Sequence, residues 1–191
     1  MTTVTHHDAA FFKELPEGVS AGEWSYGNLR ALRQAGPWKR TDMRVGKFCS
    51  LGMGFCALLG SEHNTDWVST YPFAIAGLSE HIEGHPKTFG DIEIGNDVWV
   101  GMNVTVFSGT RVGDGAVIAA GSYLRGDVPP YSIYGGNPAR LLSFRFRPEV
   151  IQRLQQIAWW NWPLERIKKA VPLLSQKKVE LFIEAVERGE L

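Results

Sequence analysis

From Ile94 onward the chain places an aliphatic residue at every sixth position: Ile94, Val100, Val106, Val112, Ile118 and Leu124. Four positions after each stands a small or β-branched residue, namely Val98, Val104, Thr110, Ala116, Ser122 and Val128, which gives a second inward-facing row. Strict alternation would mark ordinary strands and a 3.6-residue spacing a helix; a six-residue period marks an internal repeat. A hexad is too short for strand, turn and helix, but it holds one short strand and one bend, so successive hexads coil into a parallel β-helix. With three hexads to a coil, Ile94 stacks on Val112, Val100 on Ile118 and Val106 on Leu124. The residues following the aliphatics are Gly95, Gly101, Phe107, Gly113, Ala119 and Arg125, so glycine gathers at corners, where unusual backbone angles are expected.

The same register appears upstream at Val45–Ser50 and Leu51–Cys56, with Cys49 in the small inward position, either as interior filler or as a catalytic thiol. Between the two blocks, Ser61 to Asp91 breaks the register and carries His63, His81 and His85. A long interruption in a solenoid is usually a functional loop. Val128-Pro129-Pro130-Tyr131 and Gly135-Gly136-Asn137-Pro138 supply turn chemistry at the end of the coils. Helices follow. Pro148 and Glu149 suit a first turn; Val150, Ile151, Leu154, Ile157 and Ala158 keep helical spacing, as do Leu164, Ile167, Ala170 and Val171, and a third stretch covers Val179 to Val186. The run Trp159-Trp160-Asn161-Trp162 reads as packing rather than as a ligand box. The expected organisation is an N-terminal segment 1–44, a mainly-β coil domain 45–140 with an inserted loop 61–91, and a helical segment 141–191.

Composition narrows the partners. Glycine makes up 21 of 191 residues, about 11% against the roughly 7% of average usage, yet 12% aromatic content argues against disorder. Twenty Lys+Arg balance twenty Asp+Glu, so no summed field would hold the protein on nucleic acid or an acidic membrane. Two cysteines form no disulfide framework and match no zinc pattern, which points to a reducing, cytoplasmic setting. Met1 to Ala10, with His6 and His7, lacks the basic start and apolar run of a signal peptide, and no stretch of about 18 apolar residues occurs.

The hexads, His63-Asn64-Thr65-Asp66-Trp67-Val68-Ser69-Thr70-Tyr71-Pro72-Phe73, Ile94-Gly95-Asn96-Asp97-Val98-Trp99-Val100-Gly101, Trp159-Trp160-Asn161-Trp162-Pro163 and Gly135-Gly136-Asn137-Pro138-Ala139-Arg140 together resemble the xenobiotic (chloramphenicol and streptogramin) acetyltransferases over roughly Val45 to Phe182. The resemblance implies a left-handed parallel β-helix with a protruding loop and C-terminal α-helices. It also implies a homotrimer with active sites between subunits, acetyl-CoA as cosubstrate and no metal. By the same resemblance His63 is the catalytic base, against the alternative of a histidine that only caps a loop. An imidazole with an ordinary pKa near 6.5 accepts a hydroxyl proton at neutral pH.

Trp99 is placed along the cofactor groove by the family picture, with a buried core tryptophan as the alternative. CoA presents amides and phosphates, so its site needs exposed backbone donors and a few cations. Gly101, Ser108, Gly109, Ala119 and Ala120 are the corner candidates, with Pro138 on the terminal turn. Arg125 and Arg140 are candidate phosphate partners, and Arg145 and Arg147 are substitutes for them. Two departures bear on the acceptor: Glu62 stands where the family commonly has Asn, and 74–81 lacks the aromatic-rich segment of drug-modifying members. A sugar or polysaccharide hydroxyl is therefore a rival to an antibiotic one. Two other classes remain: a γ-carbonic-anhydrase-like metalloenzyme using His63, His81 and His85, and a noncatalytic β-helix scaffold.

Overall fold

The computed structural model describes residues 15–33 and 41–191. The polar start Met1 to Ala10 lies outside the described residues. The strands, in chain order, are β1 (Val19–Ala21), β2 (Tyr26–Leu32), β3 (Met43–Val45), β4 (Ser50–Leu58), β5 (Ile92–Ile94), β6 (Trp99–Val100), β7 (Thr105–Phe107), β8 (Arg111–Val112), β9 (Val117–Ile118), β10 (Tyr123–Leu124), β11 (Asp127–Val128), β12 (Ser132–Gly136) and β13 (Ala139–Phe144). Most are two or three residues long, as a hexad divided between strand and bend requires.

These strands stack in parallel columns. One runs β1-β3-β5-β8-β11; β4, longer than the rest, pairs with β6 through its first half and with β7 through its second, so it feeds two further columns, β2-β4-β6-β9-β12 and β4-β7-β10. The register is the expected one: Ile94 pairs with Val112, Val100 with Ile118 and Val106 with Leu124. Val45 pairs with Ile94 and Leu51 with Val100 at a separation of 49 rather than 18 residues, so the loop is inserted without disturbing the stack.

Both inward rows are buried, from Ile94 and Val98 through Leu124 and Val128. The hydroxyls among them are satisfied at home, Ser122 donating to the Ala119 carbonyl at 2.6 Å and Thr110 to that of Leu124 at 3.4 Å. Cys49 is fully buried, its Sγ donates to the Gly95 carbonyl at 3.0 Å, and burial pushes its thiol up to about 11, which fits interior filler and not a nucleophile.

Two expectations need revision. The columns begin upstream of Val45, because β1 pairs with β3 and β2 with β4. No hexad announces this coil; Val19, Ala21, Leu29 and Ala31 lie against the core only partly buried, so the end layer keeps a two-residue alternation instead of the six-residue signature. Gly95, Gly101 and Gly113 are also not in the left-handed region; a Cβ there would sit 2.6–2.8 Å from backbone nitrogens of Asp114, Ala120 and Pro130. Close stacking of coils, not an unusual φ, demands these glycines.

Residues 144–191 form a second compact unit, the first ending at Ser143. It contains α1 (Pro148–Ile157), a 3-10 turn (Trp159–Asn161), α2 (Leu164–Leu174) and α3 (Val179–Glu187). Pro148 opens α1, where a missing N–H costs nothing. Val150, Leu154, Ile167, Ala170, Phe182, Ile183 and Ala185 are the buried faces. Trp160 is buried and Trp162 packs on Phe182, with ring centroids 5.9 Å apart, consistent with a structural role for the tryptophan run. Among the described residues no helix is long and apolar enough to cross a membrane.

Candidate active site on the inserted loop

The loop leaves the coil after β4 and returns at β5. Its two ends are tied together: the Glu62 N–H donates to the Lys87 carbonyl at 3.1 Å and the Lys87 N–H to that of Glu62 at 2.7 Å, while the Thr41 and Thr88 hydroxyls meet at 2.7 Å. His63 is exposed next to this bridge. Its Nδ1 lies 2.5 Å from the Thr70 carbonyl oxygen. A carbonyl only accepts, so Nδ1 carries a proton, and in the neutral ring the lone pair falls on Nε2.

His85 packs edge-on against His63, ring centroids 5.3 Å apart at 87°, and Trp67 covers it at 6.0 Å. It is buried, and burial first, then the charge of His63, pushes its pKa down, which favours the neutral ring beside His63. Asn64, also buried, donates to the Gly84 carbonyl at 2.9 Å and closes the turn. A cavity of about 480 Å³ opens here, lined by Asn64, His81, Glu83, His85, Lys87 and Thr88 among others. Among the described residues no group of three or more His, Cys, Asp or Glu side chains is placed to hold a metal ion.

The coil corner behind His63 meets the loop directly. The Ser108 hydroxyl donates to Glu62 Oε1 at 2.7 Å and accepts the Phe89 N–H at 3.0 Å. Arg125 Nη2 lies 3.7 Å from the same carboxylate oxygen, and its guanidinium covers the rings of Phe89 and Phe107 at 4.8 and 4.7 Å.

Residues 91–126 match the family described as bacterial transferase hexapeptide (six repeats). A probable macrolide acetyltransferase of Lysinibacillus sphaericus is 43% identical over 139 residues, covering 70% of this chain and 77% of that protein. The chain belongs to the xenobiotic acetyltransferase family. A chloramphenicol acetyltransferase of Morganella morganii is 40% identical over 141 residues, 71% of this chain and 67% of that one. A hexapeptide-repeat acetyltransferase of Vibrio cholerae, solved in complex with acetyl coenzyme A, is 26% identical with a TM-score of 0.52, covering 69% of this chain and 62% of that one. Membership makes the protein an acetyltransferase with acetyl-CoA as donor.

In this acetyltransferase the residues singled out from sequence fall into two groups on different columns. Ser108 and Gly109, at the end of β7, and Arg125, after β10, meet the loop at Glu62, Phe89 and Gly90. Trp99, Gly101, Ala119 and Ala120 lie along β6 and β9, with Pro138 and Arg140 on the turn and strand that follow β12. Trp99 is 59% exposed, which excludes the core-tryptophan alternative within one chain. Three corner N–H groups are already taken: Gly101 donates to Ile118, Gly109 to Gly90 and Ala119 to Tyr134, each at 2.8 Å. Arg140 is exposed, whereas Arg147 pairs with Glu149 at 3.3 Å. Sequence reasoning missed the Thr70 carbonyl, the burial of His85 and the Glu62–Ser108 contact, since each joins segments with no common period.

Proposed function

We propose that the protein transfers acetyl directly from acetyl-CoA to an acceptor hydroxyl with His63 as general base, on a left-handed parallel β-helix that assembles as a homotrimer. The observation that carries this reading is the Nδ1 contact with Thr70, which in the neutral ring of this exposed residue leaves the lone pair on Nε2. The acceptor hydroxyl gives its proton to Nε2 as its oxygen attacks the thioester carbonyl. The imidazolium then returns that proton to the departing CoA sulfur, so no covalent enzyme intermediate is needed. Neutral His85 suits this cycle, since a second imidazolium beside His63 would oppose the first protonation.

Trp99, Gly101, Ala119, Ala120, Pro138 and Arg140 are the proposed pantetheine and phosphate side of the site. Their column is not the one that carries Ser108 and Arg125, which supports a site completed by the loop of a neighbouring subunit. The acceptor is a small hydroxylated molecule of the kind that names the relatives. A saccharide hydroxyl is the second reading, favoured by Asn64, His81, Glu83 and Lys87 around the loop cavity. A screen of acetyl-CoA consumption with chloramphenicol, a macrolide, a streptogramin and oligosaccharides separates the two. With whichever acceptor is turned over, His63→Ala is expected to lower kcat by about 10²–10⁴-fold while the Kd for acetyl-CoA stays near its wild-type value. Undiminished turnover in that variant would overturn the assignment.

A further inference from the structure

We infer that Glu62 is a positioning residue for His63, held against the coil by Ser108 and Arg125, and that Arg125 serves this clamp rather than a CoA phosphate. The inference rests on His63 being the base, but its test is independent of turnover.

Glu62 immediately precedes His63, and its backbone makes both hydrogen bonds of the bridge to Lys87. Its side chain reaches back to the coil, where the buried Ser108 hydroxyl spends its donor on Glu62 Oε1 and an acceptor site on the Phe89 N–H. One hydroxyl thus joins the outgoing and the returning limb of the loop to the same corner. Gly109 adds a third tie, donating to the Gly90 carbonyl at 2.8 Å, and a Cβ at this residue would meet Phe89 at 2.7 Å.

The carboxylate is not generously compensated. Oε2 is buried without a partner, and Oε1 has the hydroxyl and a loose ion pair to Arg125 at 3.7 Å. A shielded carboxylate in that condition is costly unless its cation stays, and Arg125 is kept in place by two aromatic faces, Phe89 from the loop and Phe107 from the coil. The guanidinium therefore bridges loop and coil as the hydroxyl does. With Glu62 fixed on both its backbone and its side chain, the next residue has little freedom, and His63 Nδ1 meets the Thr70 carbonyl in one orientation. Without the clamp, the ring is free to sample the other tautomer, with the proton on Nε2 and no base facing the acceptor.

The test is the tautomer of His63, read from imidazole ¹⁵N shifts of the full-length protein, with the His63 signal assigned by its loss in His63→Gln. Wild type should show the Nδ1–H form when neutral. Glu62→Ala and Ser108→Ala should each give an averaged tautomer mixture, and Glu62→Gln, whose amide oxygen still accepts from Ser108, should restore most of the wild-type signature. Far-UV circular dichroism establishes that each variant is folded; if Glu62→Ala is not, Ser108→Ala carries the same expectation. A wild-type tautomer in the folded variants overturns the inference. Arg125→Ala should shift the tautomer and leave the calorimetric Kd for acetyl-CoA within about twofold, whereas a tenfold rise with the tautomer unchanged returns Arg125 to the cofactor and overturns its place in the clamp. Loss of His63→Ala's kinetic effect would instead sink the proposed reaction while leaving the positioning measurement intact.

Discussion

His85 packs edge-on against His63, and its chemistry is decided by what surrounds it. Its ring is enclosed by His63 and Trp67, its Nε2 is buried without a partner, and its pKa is lowered by burial and by the charge of His63, with His81, Glu83 and Lys87 lining the adjoining cavity. A histidine with a folded value below its unfolded value of about 6.5 binds fewer protons folded than unfolded across the interval between the two. Stability then rises with pH through that window and is lost as pH falls below about 6.5. The thermal midpoint of wild type should accordingly fall between pH 7 and pH 5.5. His85→Phe, which keeps a ring against His63 and Trp67 and removes the titration, should flatten that fall; equal slopes in the two proteins would show that other groups govern it. The depth of His85 is not legible in the sequence, where the family motif singles out His63 but nothing separates His81 from His85. What separates them is depth, and depth in a loop without a period is fixed by tertiary contacts alone.

At the scale of the strand and its corner, legibility was high, for a reason peculiar to coils. Each hexad repeats the same inward positions against the same neighbours, so Ile94 with Val112 or Val100 with Ile118 follows from counting. The counting failed at the first described coil, where Val19, Ala21, Leu29 and Ala31 are only partly buried and, among the described residues, have a neighbouring coil on one side, so they tolerate a plainer alternation. The corner glycines were found for the wrong physical reason, and the difference is measurable. A Cβ at Gly101 would lie 2.6 Å from Ala120 N and 2.9 Å from its Cα, rigid backbone that cannot give way. Gly121 has nothing within 4 Å but sits at φ +71°. Gly101→Ala should therefore cost about 1–3 kcal/mol and Gly121→Ala about 1–2 kcal/mol, compared by urea unfolding at one protein concentration. A nearly neutral Gly101→Ala would mean that the coils can separate locally, contrary to the close stacking seen here.

Over the whole molecule, zero net charge conceals an uneven distribution between faces. On the outside of the first column the paired residues are Ser20, Arg44, Glu93, Arg111 and Asp127, a ladder of alternating sign in which Arg44 reaches Asp91 at 3.1 Å and Glu93 at 2.9 Å. The corresponding row on the β2-β4-β6-β9-β12 column is Tyr26, Ser50, Trp99, Val117 and Ile133, without a single charge. Alternating charges lose their hydration if another protein covers them, while an uncharged row with exposed aromatics gains from being covered. The trimer proposed above should therefore close on the second column, the same one that carries Trp99, Gly101, Ala119 and Ala120, and leave the charge ladder in water. Light scattering should give a particle three times the 21.3 kDa protomer. Val117→Glu, which places a carboxylate in the uncharged row, should reduce that mass while the circular dichroism of the coils persists. Arg111→Ser, on the ladder, should leave it unchanged. The reverse pattern would move the interface to the charged face and detach the loop of one subunit from the Trp99 column of the next. A monomeric wild type would require both halves of the site to be brought together within one chain, which their separate columns do not do.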